Sequence, residues 1–203
     1  KLSFDLHMHS CLSPCGGDDN TPANLAGMCA LAGLQVVALT DHNTSGNCAA
    51  FCSAAKAYGL LALPGMELTT REEAHVVCLF PDIDKALAFS QYVRSKLPPI
   101  PNDPFRFGTQ VLWMRSAADI GIYDVSSLAA SFGGLAYPAH IDRPAFSLLG
   151  SLGLWDPAMG FPLAEVPSHC PPDLFDRPDL KGVPSITACD AHYLDQIPDA
   201  HQF

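Results

Sequence analysis

Seven short apolar runs punctuate the 203-residue chain, at Leu2–His7, Val36–Thr40, Leu60–Met66, His75–Phe80, Gly134–Pro138, Leu163–Val166 and Ser185–Ala188, with Ala- and Leu-rich stretches between them. This alternation constrains the fold more than any other feature. A strand that is apolar throughout needs cover on both faces, and intervening helices supply it, so the pattern predicts an α/β protein of βα units around a mostly parallel sheet. The expected helices are Pro22–Ala32, Ser45–Tyr58, Ile83–Leu97 and Val125–Phe132, the first with Thr21 as N-cap and Pro22 at its opening position. Seven strands with such connections predict a closed or nearly closed barrel. One join departs from the rule. Glu67 through Thr69-Thr70-Arg71-Glu72-Glu73 to His75 is too short for a crossover helix and reads as a hairpin that reverses the fourth strand.

With 48% hydrophobic and 16% charged residues, the chain can bury a sizeable core, and intrinsic disorder is excluded. At ~150 residues per typical domain it reads as one domain over residues 1–203. An irregular insertion lies around 98–122, opening on Pro98-Pro99-Ile100-Pro101-Asn102-Asp103-Pro104 and continuing without a clear period. The formal charge is −10, from 21 acids against 11 bases, and Lys and Arg form no stripe. That balance argues against a nucleic-acid polymer as partner and for a small substrate. It also suits a site holding several divalent cations, which would cancel part of the excess. No basic segment followed by an apolar one opens the sequence and no apolar run approaches ~18 residues, so no membrane role is expected and the chain is read as cytoplasmic. The oligomeric state stays open. The eight cysteines read as free thiols, since a chain this long needs no disulfide framework. Cys48 and Cys52, one helical turn apart, read as core packing. Cys11 and Cys15 lie in a loop beside histidines, where a metal or redox role is open.

The histidines carry the chemistry, because of where they fall on the strands. His7 and His9 follow the first strand in Asp5-Leu-His-Met-His-Ser10, and period-2 alternation turns both imidazoles to one side as a metal grip. His42 follows the second strand, Glu67 ends the third, His75 opens the fourth, His140 ends the fifth, and Asp190 and His192 end the last. In a barrel the carboxyl ends of parallel strands share one rim, and the hairpin brings the start of the reversed fourth strand there too. A single His on an apolar strand is more often a hydrogen-bonded core residue than a ligand. Six histidines and two acids at one rim are another matter, because burying them without a cation would cost on the order of several kcal/mol each.

The segments Asp5-Leu-His-Met-His-Ser10, Thr40-Asp-His-Asn43, Gly65-Met-Glu67, Pro138-Ala-His140 and Asp190-Ala-His192 resemble, in order, the signatures of the PHP family, the polymerase and histidinol phosphatase domains. The resemblance implies a distorted (β/α)7 TIM-like barrel with its metal site at the carboxyl-end rim, and two or three divalent transition metals. It places His7, His9, Glu67 and Asp190 on a first metal and Glu67, His75 and His140 on a second. His42, His192 and an acid from the loop after the first strand go on a third. Here that loop is longer than the common Ser-Asp-Gly form and offers adjacent acids, of which Asp18 is preferred over Asp19.

Two metals sharing a carboxylate hold a hydroxide at neutral pH, so a hydroxide held by Glu67, His75, His140 and Asp190 is the expected nucleophile for in-line attack on a small phosphate ester, a monoester or a nucleotide-type diester. Mixed imidazole and carboxylate ligands suit Zn, Mn or Fe. Asp5, Asp41 and Asp142 are candidates for orienting imidazoles. Arg143 and His169 are candidates for substrate binding, whereas Glu165, at the end of the sixth strand, reads as a structural hydrogen-bonding residue. A C–N hydrolase of the amidohydrolase type is the rival enzyme reading, disfavoured because no lysine sits at a strand end to form a carbamylated bridge. A catalytically silent module would have lost ligands.

Overall fold

The computed structural model describes residues 2–99, 114–167, 170–171 and 173–199. His169 and most of the 98–122 insertion lie outside the described residues. Among the described residues seven strands and five α-helices follow the expected order: β1 (Phe4–Asp5), α1 (Pro22–Leu31), β2 (Val36–Leu39), α2 (Cys48–Ala57), β3 (Leu61–Thr69), β4 (His75–Leu79), α3 (Ile83–Lys96), α4 (Ile122–Ser131), β5 (Leu135–Pro138), α5 (Leu148–Leu152), β6 (Ala164–Val166) and β7 (Ser185–Thr187).

β1, β2 and β3 are parallel, β4 runs antiparallel between β3 and β5, and β6 pairs with β7 in a separate parallel ladder. The β3–β4 hairpin places Thr69 opposite His75 and Glu67 opposite Val77. The fold is therefore α/β with a curled sheet. Its ladder is not continuous among the described residues, in contrast to the closed barrel the strand count predicts. The two sheets are joined instead by a Met8–Ala191 bridge on one side and by the Ile141 N–H donating to the Glu165 carbonyl at 3.0 Å on the other.

Boundaries differ from the sequence pattern for local reasons. β1 stops at Asp5 because the His7 N–H turns back onto the Asp5 carboxylate at 3.1 Å. α2 begins at Cys48, since the Ser45 hydroxyl is committed to the Gly65 carbonyl at 2.9 Å. α4 begins at Ile122, whose N–H is capped at 2.9 Å by Glu72 from the hairpin turn, a partner distant in sequence. α1 starts as expected, with the Thr21 hydroxyl accepting from the Asn24 N–H. α5 carries no long apolar period and rests on its Ser147 cap.

Helices α1 and α2 cover one flank, Leu25 and Phe51 clustering with Leu39 of β2, and α3 and α4 cover another through Phe89, Val93 and Ile122. A third cluster fills the concave side of the sheet: Ala38, Val77, Leu79, Tyr137 and Ala139, with Leu6, Leu63, Leu163 and Ile186 against it. Every strand contributes there, itself or by a residue next to it. No helix among the described residues is long and apolar enough to cross a membrane.

Candidate metal centre

The concave cluster is the floor of the site, and strand alternation decides what stands above it. An even number of positions from Ala38 on β2 is His42, from Leu63 on β3 is Glu67, from Val77 on the reversed β4 is His75, and from Ile186 on β7 are Asp190 and His192. Glu165 shares the face of Leu163. His7, His9 and His140 break the parity of their strands. The first two follow the turn at Asp5, and His140 sits at φ 28°, in the left-handed region, as do Asn43 at 53° and Asp190 at 50°. Side chains rarely adopt such torsions, and here the backbone changes direction where the donors converge.

Glu67 is the hub. Its Oε1 lies 2.9 Å from His75 Nδ1, 3.0 Å from His140 Nε2 and 3.3 Å from His7 Nε2. Its Oε2 lies 2.9 Å from His42 Nδ1 and 3.3 Å from His9 Nε2. Asp190 Oδ1 lies 3.2 Å from His7 Nε2 and 3.1 Å from His9 Nε2, while Oδ2 meets Arg143 Nη1 at 2.7 Å. His192 Nδ1 is 2.8 Å from the Asp190 carbonyl oxygen. Ligand atoms gather within 4.8 Å of one another in three groups: His7, His9 and Asp190; His42, Glu67 and His75; and His9, His42 and His192.

These donors fit divalent cations better than they fit one another. Glu67 Oε2 is buried and makes no hydrogen bond, although an imidazole nitrogen lies 2.9 Å away. Nε2 of His7 and Nε2 of His9 face each other at 3.2 Å, where only one of them can donate. Lone pairs aimed at shared points and left unmatched by protons are the chemistry of a ligand set.

Electrostatics tie the cluster together. Burial opposes a charged His9, but the adjacent carboxylates of Asp190 and Glu67 outweigh it and lift the imidazole to about 9. His42 is likewise lifted to about 9, against burial, by the Glu67 charge. Glu67 and Asp190 are themselves held below the usual carboxylate range despite burial, Glu67 by His75, His7 and His42, and Asp190 first by His7. Burial pushes His75 and His192 down, and raises Asp5 to about 6.

A second layer orients the imidazoles. Both Glu165 oxygens lie 3.0 Å from His7 Nδ1, which leaves Nε2 to face the site, and the same carboxylate accepts the His140 N–H at 3.2 Å. Asp5 accepts the N–H groups of His7 and Cys189, joining the ends of β1 and β7. Asp41 acts through a hydroxyl. It accepts from the Ser10 N–H, the Ser10 hydroxyl and the Ser13 hydroxyl, and Ser13 Oγ stands 3.0 Å from His9 Nδ1. Sequence reasoning did not single out Ser13, because an isolated loop serine carries no signal.

Eight of the predicted ligands therefore meet: His7, His9, His42, Glu67, His75, His140, Asp190 and His192. Asp18 does not join them. Asp18 and Asp19 are both exposed, because the loop is pinned just before them by the Gly17 N–H on the His192 carbonyl at 2.8 Å and turns through Asn20 N–H on Gly17 at 3.0 Å. Arg143 stands at the rim on Asp190 with its side chain half exposed. Asp142 touches no ligand imidazole, and its buried Oδ1 has no hydrogen-bond partner.

A curled α/β sheet collecting histidines and carboxylates from successive strand ends defines a candidate centre for divalent cations. The family model described as PHP domain matches residues 5–114, and the chain belongs to that family, whose members use divalent metals. Solved structures with similar folds include a complex of Endonuclease Q with a 27-mer duplex bearing an abasic lesion, at 18% identity and TM-score 0.74, covering 94% of this chain and 49% of that one. A lesion-specific endonuclease from Pyrococcus furiosus aligns at 18% identity and TM-score 0.75, covering 100% and 50%. A candidate metal-dependent phosphoesterase from Bifidobacterium adolescentis aligns at 18% identity and TM-score 0.67, covering 94% and 88%. The chain thus spans about half the length of the two endonucleases. No curated protein sequence matches it.

One expectation is corrected by these similarities. Net acidity argues against a nucleic-acid polymer, yet this fold occurs in an endonuclease crystallised on duplex DNA. A formal charge of −10 is a whole-chain sum, whereas a phosphodiester is met by the local field of a cation site.

Proposed function

We propose that this chain is a metal-dependent phosphoesterase with a trinuclear site, acting on phosphomonoesters or on nucleotide-type phosphodiesters, nucleic acid included. The observation that carries the reading is Glu67, a buried carboxylate flanked by five imidazoles with one oxygen directed at each side of the cluster. His7, His9, Glu67 and Asp190 would hold one cation, Glu67, His75 and His140 a second, and His42 with His192 a third. When bound, such cations supply Lewis acidity and activate water for attack at phosphorus.

The chain's own residues do the rest. Glu165 fixes His7 with Nε2 inward, Asp41 through Ser13 fixes His9, and the Tyr137–Ile186 floor keeps the base of the site dry. Arg143, anchored by one nitrogen on Asp190, keeps other guanidinium N–H groups for a phosphate oxygen at the rim. Residues 1–203 would form the single domain that carries this site.

The test loads purified protein with Zn, Mn or Fe and assays p-nitrophenyl phosphate, its bis ester, an abasic-site duplex and an amide panel, with chelation as control. Chelator-reversible phosphate-ester cleavage is expected. Full metal occupancy with amide cleavage alone would establish the C–N hydrolase reading instead, and full occupancy with no turnover would establish a silent module.

A further inference from the structure

The loop from His140 to Ser147 is a tight turn at the edge of the site. The Arg143 N–H closes onto the His140 carbonyl at 3.1 Å, the Leu149 N–H onto the Ile141 carbonyl at 3.2 Å, and the Ser147 hydroxyl onto the Arg143 carbonyl. Gly150 lets α5 lie against this turn, since a Cβ there would meet the Arg143 and Pro144 carbonyl oxygens at 2.7 Å. One position in the turn is unfavourable. Phe146 is held at φ 57°, a left-handed torsion that a bulky side chain rarely takes. Its carbonyl accepts the His75 N–H at 3.0 Å, and its ring lies on the His75 imidazole with centroids 5.2 Å apart and planes 27° from parallel. That contact does not bury it: Phe146 is 48% exposed. A strained torsion that keeps an aromatic ring half in water adds little to the core, and its effect is to hold the ring beside His75, which itself touches Glu67. The same short loop carries Arg143, anchored on Asp190 at 2.7 Å. It therefore sets a guanidinium at one carboxylate of the centre and an open aromatic surface at one of its histidines.

We infer that Phe146 is a stacking platform for an unpaired nucleobase carried by the phosphate ester at the centre, and that it selects nucleotides over sugar phosphates. A guanidinium suits the phosphate and an exposed ring suits the base, and one loop fixes the two relative to each other. Every base has a π-face, so the platform favours nucleotides as a class without choosing among bases. A base inside a duplex is already stacked on its neighbours, so the platform takes bases from single strands, strand ends or flipped-out positions. The inference rests on the proposed phosphoesterase reading, whose substrate it narrows, but its readout is binding and independent of turnover.

Zinc-loaded protein is titrated with 2-aminopurine riboside 5′-monophosphate, whose fluorescence is quenched when its base stacks, and by calorimetry with ribose 5-phosphate, which has the same phosphate and sugar without a base. Wild type is expected to quench the probe and to bind it about 5–150-fold more tightly than ribose 5-phosphate. Phe146→Leu keeps apolar cover over His75 without a π-face, so it should lose the quench and the preference while holding as much zinc as wild type by elemental analysis. Phe146→Tyr should keep all three. Equal affinity for the two ligands in wild type overturns the inference, as does a quench that survives in Phe146→Leu or is lost in Phe146→Tyr. Zinc lost from Phe146→Leu also overturns it, by giving the ring a structural role. A base preference with no phosphate-ester cleavage sinks the proposed function and leaves the platform standing; cleavage without a base preference does the reverse. Wild type that neither binds these ligands nor cleaves a phosphate ester overturns both.

Discussion

Glu165 places both carboxylate oxygens 3.0 Å from His7 Nδ1, on the ring edge opposite the nitrogen that faces Glu67 and Asp190. The pairing fixes which ring nitrogen carries the proton. Glu165→Gln keeps the shape but offers an amide to the same nitrogen, so metal affinity is expected to fall by about 10–100-fold, as for other outer partners of ligating histidines. Competition with a chelator of known strength measures it. Unchanged affinity would show that His7 needs no such partner.

Glu67→Gln acts on the hub. Five imidazoles lie within 3.3 Å of this carboxylate, and replacing one oxygen by an amide nitrogen turns an acceptor into a donor aimed at ring nitrogens. The expected loss of activity exceeds the ~100-fold typical of an outer-layer change, with a matching drop in bound metal. Activity retained near wild type would mean the bridge is misassigned.

Asp41→Ala removes the acceptor for the Ser10 N–H and two hydroxyls in a buried setting. A cost of about 1–3 kcal/mol is expected for the groups left unpaired, seen as a lowered Tm, with Asp41→Asn intermediate. A Tm indistinguishable from wild type would show that water replaces the carboxylate freely.

In chelated protein the pH dependence has a definite sign. His9 and His42 are raised from 6.5 to about 9 when folded, so their contribution to stability is complete below 6.5 and is lost as pH rises through about 9. Tm of metal-free protein should therefore decline across that interval. Metal reverses the trend, because ligation requires neutral imidazole and releases protons, so binding tightens as pH rises over the same range. Thermal melts with and without zinc across the interval test both limbs; a metal-free Tm that climbs would contradict the assignment.

Much of this was legible in the chain itself. Their positions at strand ends foretold that His42, Glu67, Asp190 and His192 would meet at one rim, and the short Glu67–His75 join foretold the hairpin that brings His75 there; the alternation invoked for His7 and His9 is broken by the turn at Asp5. What was not legible depends on contacts distant in sequence or on torsions. Glu72 caps α4 from fifty positions away. The loop after β1 turns its acids outward because of where Gly17 is tied, which no spacing of Asp18 and Asp19 encodes. The charge count misled because it averages over a surface, whereas recognition is local.

The left-handed torsions at His140 and Asp190 bear on how the molecule ages and is cleared. Two joints that ordinary chain would abandon lie at groups that would hold the ions under the proposed reading, so a bound ion would also be a rivet. A molecule stripped of its rivets would spring open first along this rim, exposing peptide bonds there to cellular proteases while the helices behind are still folded.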